Sequence, residues 1–142
     1  MESHVARRGS SLALGTSAFL AGASGMMTQR LGLSALDLSL GAGLGAATGL
    51  ALYLASWALG AWRAGRLAVR GNMLLVGLAA AGSTGLLGWS VGRGAWLSLA
   101  CLFLAGFCQG MFLPLLARRR GPHGIPQLWA LNLLGAVLGL VL

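Results

Sequence analysis

The sequence predicts an all-α, polytopic integral membrane protein of about five transmembrane helices, with its N-terminus in the cytoplasm. Three observations carry that reading. Apolar residues make up 57% of the 142, charged residues only 8%, and mean hydropathy is +0.82. A soluble domain carries about 25% charged residues to cover its surface, so this chain lacks an adequate water-facing skin. The apolar residues gather into five stretches, each near the roughly 20 residues that cross a bilayer. The arginines sit between the stretches, in clusters that alternate in size.

A cytoplasmic tail over residues 1–10 precedes a helical membrane domain over 11–142, with spans at about 11–33, 36–62, 72–91, 95–117 and 127–142. Helix is the state these spans require, because lipid offers backbone N–H and C=O groups no partners. The ten-residue alternating segments of a β-barrel are not seen.

The first span turns polar in its second half, at Thr28, Gln29 and Arg30. Its start also has features of a cleavable signal: Arg7-Arg8, an apolar run from Leu12, and Ala21-Gly22-Ala23. Arg-Arg-Gly-Ser-Ser-Leu hints at a twin-arginine signal. The run continues through Met26 and Met27, however, and the charge alternation works best with this helix retained. The second span opens with Ser34-x-x-Asp37, a capping-box-like spacing in which side-chain oxygens accept orphan N–H groups. Cys101 and Cys108 in the fourth span are seven residues apart. On a helix that is about 10 Å, too far for a disulfide, and they read as small buried apolar residues. Pro114 predicts a kink one turn before this helix ends, while Pro122 and Pro126 bracket the basic loop that follows. The sixteen residues of the fifth span rise about 24 Å, short of the ~30 Å core. Such a helix is expected to span thinly, to tilt against a partner or to be cut from a longer ancestor.

All ten cationic residues are arginine, against Glu2 and Asp37 on the acidic side. Arg7, Arg8, Arg63, Arg66, Arg70, Arg118, Arg119 and Arg120 fall on one side of the alternating spans, Arg30 and Arg93 on the other. That asymmetry places the N-terminus and the exits of the even helices in the cytoplasm. It also assigns Arg63, Arg66, Arg70 and Arg118 to Arg120 as topology signals and contacts to anionic lipid head groups. A net charge of +8 could suggest nucleic acid, but arginines clustered between apolar runs argue against it. Trp62, Trp89 and Trp96 fall at predicted helix ends, where indoles prefer the interface.

Glycine spacing marks candidate packing faces: Gly41, Gly45 and Gly49 on helix two, continued by Tyr53 and Trp57; Gly77, Ala81 and Gly85 on helix three; Gly106 and Gly110 on helix four; Gly135 and Gly139 on helix five. Small residues at i, i+4 let backbones approach closely in lipid. The ordinary use is packing within the chain; the alternative is a glycine-lined dimer or substrate path. Asp37, the carboxylate nearest a span, is either a helix cap, suited to the positive end of a helix dipole, or a proton or cation site. Gln109 and Asn132 lie inside spans, where buried amides ordinarily bond to a neighbouring helix. No Ser/His/Asp constellation, second acid–base carboxylate, phosphate loop or dinucleotide fingerprint is present. His4 and His123 do not combine with the cysteines into a metal site. The expectation is no enzyme activity, no cofactor and no metal.

Four stretches together resemble a family. Leu52 to Arg70, LYLASWALGAWRAGRLAVR, resembles the end of the second helix in membrane-embedded spermidine synthase-like proteins, with its A-L-G-x-x-x-A-G-R-L core. Gly110 to Arg118, GMFLPLLAR, resembles their fourth-helix exit, and Leu128 to Leu140, LWALNLLGAVLGL, their Y-A-L-N-T-L-G-A-x-L-G helix. Phe19 to Gly25 is similar to their opening helix. Order and spacing agree over most of the chain. In that family a multi-helix membrane module, sometimes likened to transporters, precedes a domain shaped like a polyamine aminopropyltransferase. This chain departs by ending inside the helix where the family continues and by lacking a glycine-rich cofactor loop followed by an acid. It also carries Thr28-Gln29-Arg30 where the family shows a Tyr-acid or Tyr-Gln pair. The resemblance therefore implies the membrane module alone, without aminopropyl transfer.

The expected protein is a multi-pass inner-membrane chain whose partners are lipids and other membrane protein chains, not nucleic acid. Its expected role is that of a non-catalytic subunit packing within a larger membrane assembly. The alternative is a small transporter or half-transporter acting as a homodimer, with Asp37 and the helix-four kink as working parts.

Overall fold

The structure, a computed structural model, describes residues 2–66, 72–120 and 124–141. They form five helices: α1 (Glu2–Leu40), α2 (Leu44–Ala64), α3 (Asn72–Ser90), α4 (Ala95–Arg120) and α5 (Ile125–Val141). No strand occurs among the described residues. The all-α class is as the sequence predicts.

Residues 2–10, expected as a tail before the first span, already belong to α1, and two further boundaries differ for identifiable reasons. The break expected between residues 33 and 36 is absent, and α1 runs on to Leu40. Nothing in Leu33-Ser34-Ala35-Leu36 breaks a helix. The real stop is Gly41-Ala42-Gly43, where Gly41 and Gly43 adopt φ of +92° and +89°, left-handed values that glycine reaches without strain. The Gly41 amide closes the end of α1 by donating to the Asp37 carbonyl at 3.0 Å. At the other end, α5 already contains Pro126, because a first-turn proline lacks only an N–H that would be orphaned anyway. Helix α4 continues through Pro114 to Arg120.

Helices α1 and α4 form the centre. α1 packs most extensively on α5 and α2 on α4, while α3 lies mainly on α4. No Cα of α2 comes within 8 Å of one of α5, so a cleft separates those two helices. Three small apolar clusters fill the seams. Leu36, Tyr53, Leu87, Cys101 and Leu102 meet near the α1–α2 turn. Ala64, Val76, Cys108, Met111 and Leu115 join the far ends of α2, α3 and α4, and Ala18, Leu116 and Leu128 join α1, α4 and α5. Both cysteines are free and buried.

Glycines set the closest approaches. A Cβ on Gly110 would strike the Trp57 backbone, and one on Gly60 the Phe107 carbonyl oxygen. On the α1–α5 seam, a Cβ on Gly135 would strike the Phe19 carbonyl oxygen, on Gly139 the Ala23 carbonyl oxygen, and on Gly22 the Asn132 carbonyl oxygen. Gly106 faces Ser56 and Tyr53, Gly45 the Leu36–Asp37 backbone, and Gly49 the Leu33 and Leu36 side chains. Three expected packing glycines behave otherwise. Gly41 is a turn residue with open space around it; Gly77 has only Phe112 nearby, at 3.9 Å; and Gly85 meets nothing. The reason is rotational. α3 buries Val76, Ser83 and Leu87, a stripe that lies about 140° round the helix from the stripe of Gly77, Ala81 and Gly85.

Much of the outer surface is apolar, with Leu78, Leu86, Leu133, Leu134 and Val137 all more than half exposed. Among the described residues, Leu44–Ala64 and Ala95–Arg119 are long and apolar enough to cross a membrane, and Ile125–Val141 is a shorter apolar helix.

The glycine geometry separates two otherwise identical substitutions. Gly110→Ala is expected to destabilise the bundle, because overpacking costs about 1–3 kcal/mol and outweighs the helix-propensity gain. Gly85→Ala, with open space at its Cβ, is expected to stabilise it by about 0.5–1 kcal/mol. Equilibrium unfolding of both variants in detergent micelles checks the opposite signs.

Candidate functional site

One chain of hydrogen bonds links four helices at mid-bundle. The Tyr53 hydroxyl (α2) donates to Gln109 Oε1 (α4) at 2.8 Å and lies 3.4 Å from the Gly25 carbonyl oxygen of α1. Gln109 Nε2 donates to Thr28 Oγ1 (α1) at 3.0 Å. Thr28 Oγ1 is 2.8 Å from Thr84 Oγ1 (α3) and 2.8 Å from the Ser24 carbonyl oxygen. Thr28 accepts from Gln109, and because each hydroxyl has one hydrogen, the hydrogens of Thr28 and Thr84 are shared between their contact with each other and the Ser24 and Ala80 carbonyl oxygens. The residues come from four separate stretches of chain, and helix packing alone brings them together. Gln109, only 8% exposed, is the hub.

The cleft between α2 and α5 begins beside this network. Its upper part is a chamber of about 160 Å³ whose lining includes Gln29 and Gly25 of α1, Tyr53 and Trp57 of α2, Gln109 of α4 and Asn132 of α5. Trp57 and Leu113 also line a second, apolar cavity of about 150 Å³ that continues toward Ala117 and Ile125. Gln29 and Asn132 are half-buried, and neither side chain has a hydrogen-bond partner among the described residues. For Asn132 this differs from the expected bond to a neighbouring helix. Its helix face looks across the cleft, and α2 on the other side is out of reach. No carboxylate, imidazole or thiol lines the chamber. It can bind and orient a polar molecule through amides, a phenol and an indole; it offers no nucleophile paired with a base.

Asp37 lies elsewhere. It occupies the last turn of α1 rather than the start of α2, and its Oδ1 accepts from the Ala46 amide at 2.8 Å. Gly43 at the N-cap of α2 has no side chain to cap with, so Asp37 reaches across the turn and supplies the missing acceptor. Its charge then faces the positive end of the α2 dipole. Arg30 caps in the opposite sense, with Nη1 donating to the Leu140 carbonyl oxygen near the end of α5 at 2.7 Å. Spacing does not reveal that role, because the two residues are 110 apart.

Arg63 and Arg66 lie at the end of α2, and Arg118 and Arg119 in the last turn of α4. Arg118 Nη2 donates to the Gly65 carbonyl oxygen, which holds these two helix ends together. Arg66 stacks over the Trp62 ring at 4.2 Å and Arg93 over Trp89 at 4.0 Å. Arg70 falls outside the described residues, and of Arg120 only its place in α4 is described.

Gly22 and Gly60 are the packing residues that sequence reasoning missed. A usable signal existed in Ser56, Gly60 and Ala64, a small-residue series at i, i+4 on α2. Gln29 was passed over as the polar end of a span.

Two expectations follow from the polar contacts. Tyr53→Phe is expected to cost about 0.6 kcal/mol, the average for side-chain hydrogen bonds between membrane helices, and no more than about 1.7. Asp37→Ala is expected to cost about 0.5–2 kcal/mol as a lost cap, whereas Asp37→Asn keeps an oxygen acceptor and costs little. Unfolding midpoints of the three variants distinguish these outcomes.

No family model matches the chain, and no curated protein or solved structure is similar to it.

Proposed function

We propose that the chain is a five-span, inner-membrane helical module with a cytoplasmic N-terminus, akin to the membrane part of spermidine synthase-like proteins. Its role in this reading is that of a non-catalytic subunit packed within a larger membrane assembly. The observation that carries the reading is the outer face of α3. Gly82, Gly85 and Gly88 have open space where a Cβ would go, whereas the glycines of α2, α4 and α5 are pressed against neighbouring helices. In lipid, close packing rather than hydrophobic exclusion drives helix association. An unpartnered glycine face on a helix whose other side is already packed is a place for one more helix. Beside it, between α1 and α3, runs an apolar groove of about 700 Å³ lined by Leu20, Met27, Gly77, Ala81, Phe112 and Leu138.

The membrane assignment rests on the low charge, the exposed leucines and valines, and the placement of the arginines. Monomeric soluble proteins rarely expose contiguous apolar patches beyond a few hundred Å². The Arg118–Gly65 contact keeps four arginines at one end of the bundle, the arrangement that a cytoplasmic face and anionic head groups favour. Reporter fusions in the α2–α3 and α3–α4 turns are expected to score cytoplasmic and external, respectively. The reverse would overturn the topology.

A second reading, a small transporter acting as a homodimer, is favoured by one observation: the polar chamber at mid-bundle opens into a cleft. Its working residues would be Gln29, Gln109 and Asn132. Asp37, engaged at the α2 N-terminus, would not be among them.

Native mass spectrometry of the chain, extracted mildly from its own membranes, tests the first reading. The expected result is a different protein bound in fixed ratio, and Gly85→Leu should release it without lowering the chain's own unfolding midpoint. A chain that is monomeric throughout would refute the subunit role, and a clean homodimer would favour the transporter.

A further inference from the structure

We infer that the chamber between α2 and α5 is a binding site for a small uncharged molecule carrying both hydrogen-bond donors and acceptors, a hydroxyl or amide compound of about benzene size. The inference uses the cleft but does not depend on transport, and it stands whether the chain acts alone or in an assembly.

The chamber wall holds unspent hydrogen-bonding capacity. The Gln29 and Asn132 amides each present two donors and an acceptor, and neither is bonded among the described residues. Both residues are half-buried, and their amides line one chamber with donors and acceptors free to meet a polar ligand or water. Gln109 and Tyr53 complete the wall, already tied to each other and through Thr28 to α1 and α3. They are therefore held in place before anything binds, which lowers the ordering cost of binding.

Size and charge then select the ligand. About 160 Å³ is close to the cavity volume that admits benzene and corresponds to about five waters at ~30 Å³ each. No carboxylate or cationic side chain lines the chamber. Asp37 is eight residues along α1 from Gln29, about 12 Å, and is occupied at Ala46. An ion without a counter-charge is costly to take out of water, so an ammonium or carboxylate ligand is disfavoured. The flat faces of Trp57 and Tyr53 suit the carbon skeleton of a polyol or amide. The apolar lower cavity shares Trp57 and Leu113 with the chamber and lies beside it, toward Ala117 and Ile125.

Cysteine protection tests this on the full chain in lipid nanodiscs. Ala136 lines the chamber and carries none of the proposed hydrogen bonds. In a Cys101→Ala, Cys108→Ala background, Ala136→Cys is reacted with methyl methanethiosulfonate, which is small and uncharged. The thiolate is the reacting species, so modification reports water in the chamber. Glycerol or urea is expected to slow modification about threefold at twice its half-protecting concentration, as mass action requires. Sucrose, too large to enter, and methylammonium, charged, are expected to have no effect. Adding Gln29→Leu and Asn132→Leu should leave modification intact and abolish the protection. Absence of modification, failure of both glycerol and urea to protect, or equal protection by methylammonium would each overturn the assignment. The comparison of glycerol, urea, sucrose and methylammonium on the single Ala136→Cys chain stands even if the leucine variants do not fold.

Discussion

The bundle depends on backbone meeting backbone without a Cβ between them. At Gly60 and Gly110 the second and fourth helices touch main chain to main chain, and at Gly22, Gly135 and Gly139 the first and fifth do the same. These seams determine the rest. With α2 drawn onto α4 and α5 onto α1, the distance between α2 and α5 is whatever the central pair leaves. That residual gap is the cleft. The polar network occupies the level where the seams bring four helices into reach of one glutamine. Methyl-sized additions at the seams would therefore move the site as well as loosen the fold.

The architecture was legible in large part because the signals are strong and local. Low charge and long apolar runs specify the helices, and i, i+4 spacing found the seam residues Gly45, Gly49, Gly106, Gly110, Gly135 and Gly139. Periodicity failed where the answer depended on a neighbour. Spacing says that Gly77 and Gly85 share a face; it does not say whether any helix lies opposite. Gly41 fits the same spacing but sits in a turn, since a positive φ leaves no periodic trace. The α1–α2 boundary was misread because Ser34-x-x-Asp37 resembles the start of a helix, while here the same carboxylate caps the next helix from the end of the previous one.

The candidate site was only half legible. Gln109 and Asn132 stand out as amides in apolar runs, and that suffices to name them. Tyr53 was noted only as the continuation of a glycine strip, and Gln29 as the fraying end of a span. What makes them a site is convergence from helices far apart in sequence, and no single helix encodes that. Asp37 reads from sequence as a helix cap or as a proton or cation site; it does accept an amide at the α2 N-terminus, but from the end of α1, because the turn has two glycines and no capping side chain of its own.

The pairing of the first helix with the last has a consequence for biogenesis. The Arg30–Leu140 hydrogen bond joins residues 110 apart, and the Gly22 seat is filled by Asn132 and Ala136. Contacts this remote in sequence close late, because the intervening loop must be ordered before they form. During synthesis the opening helix enters its surroundings with that seat empty and waits until four more helices have been made. A translation pause or a truncated product upstream of Ile125 would leave a half-bundle with a bare glycine groove along α1. Surface left exposed in unfinished chains is what makes them prone to aggregate and in need of chaperones.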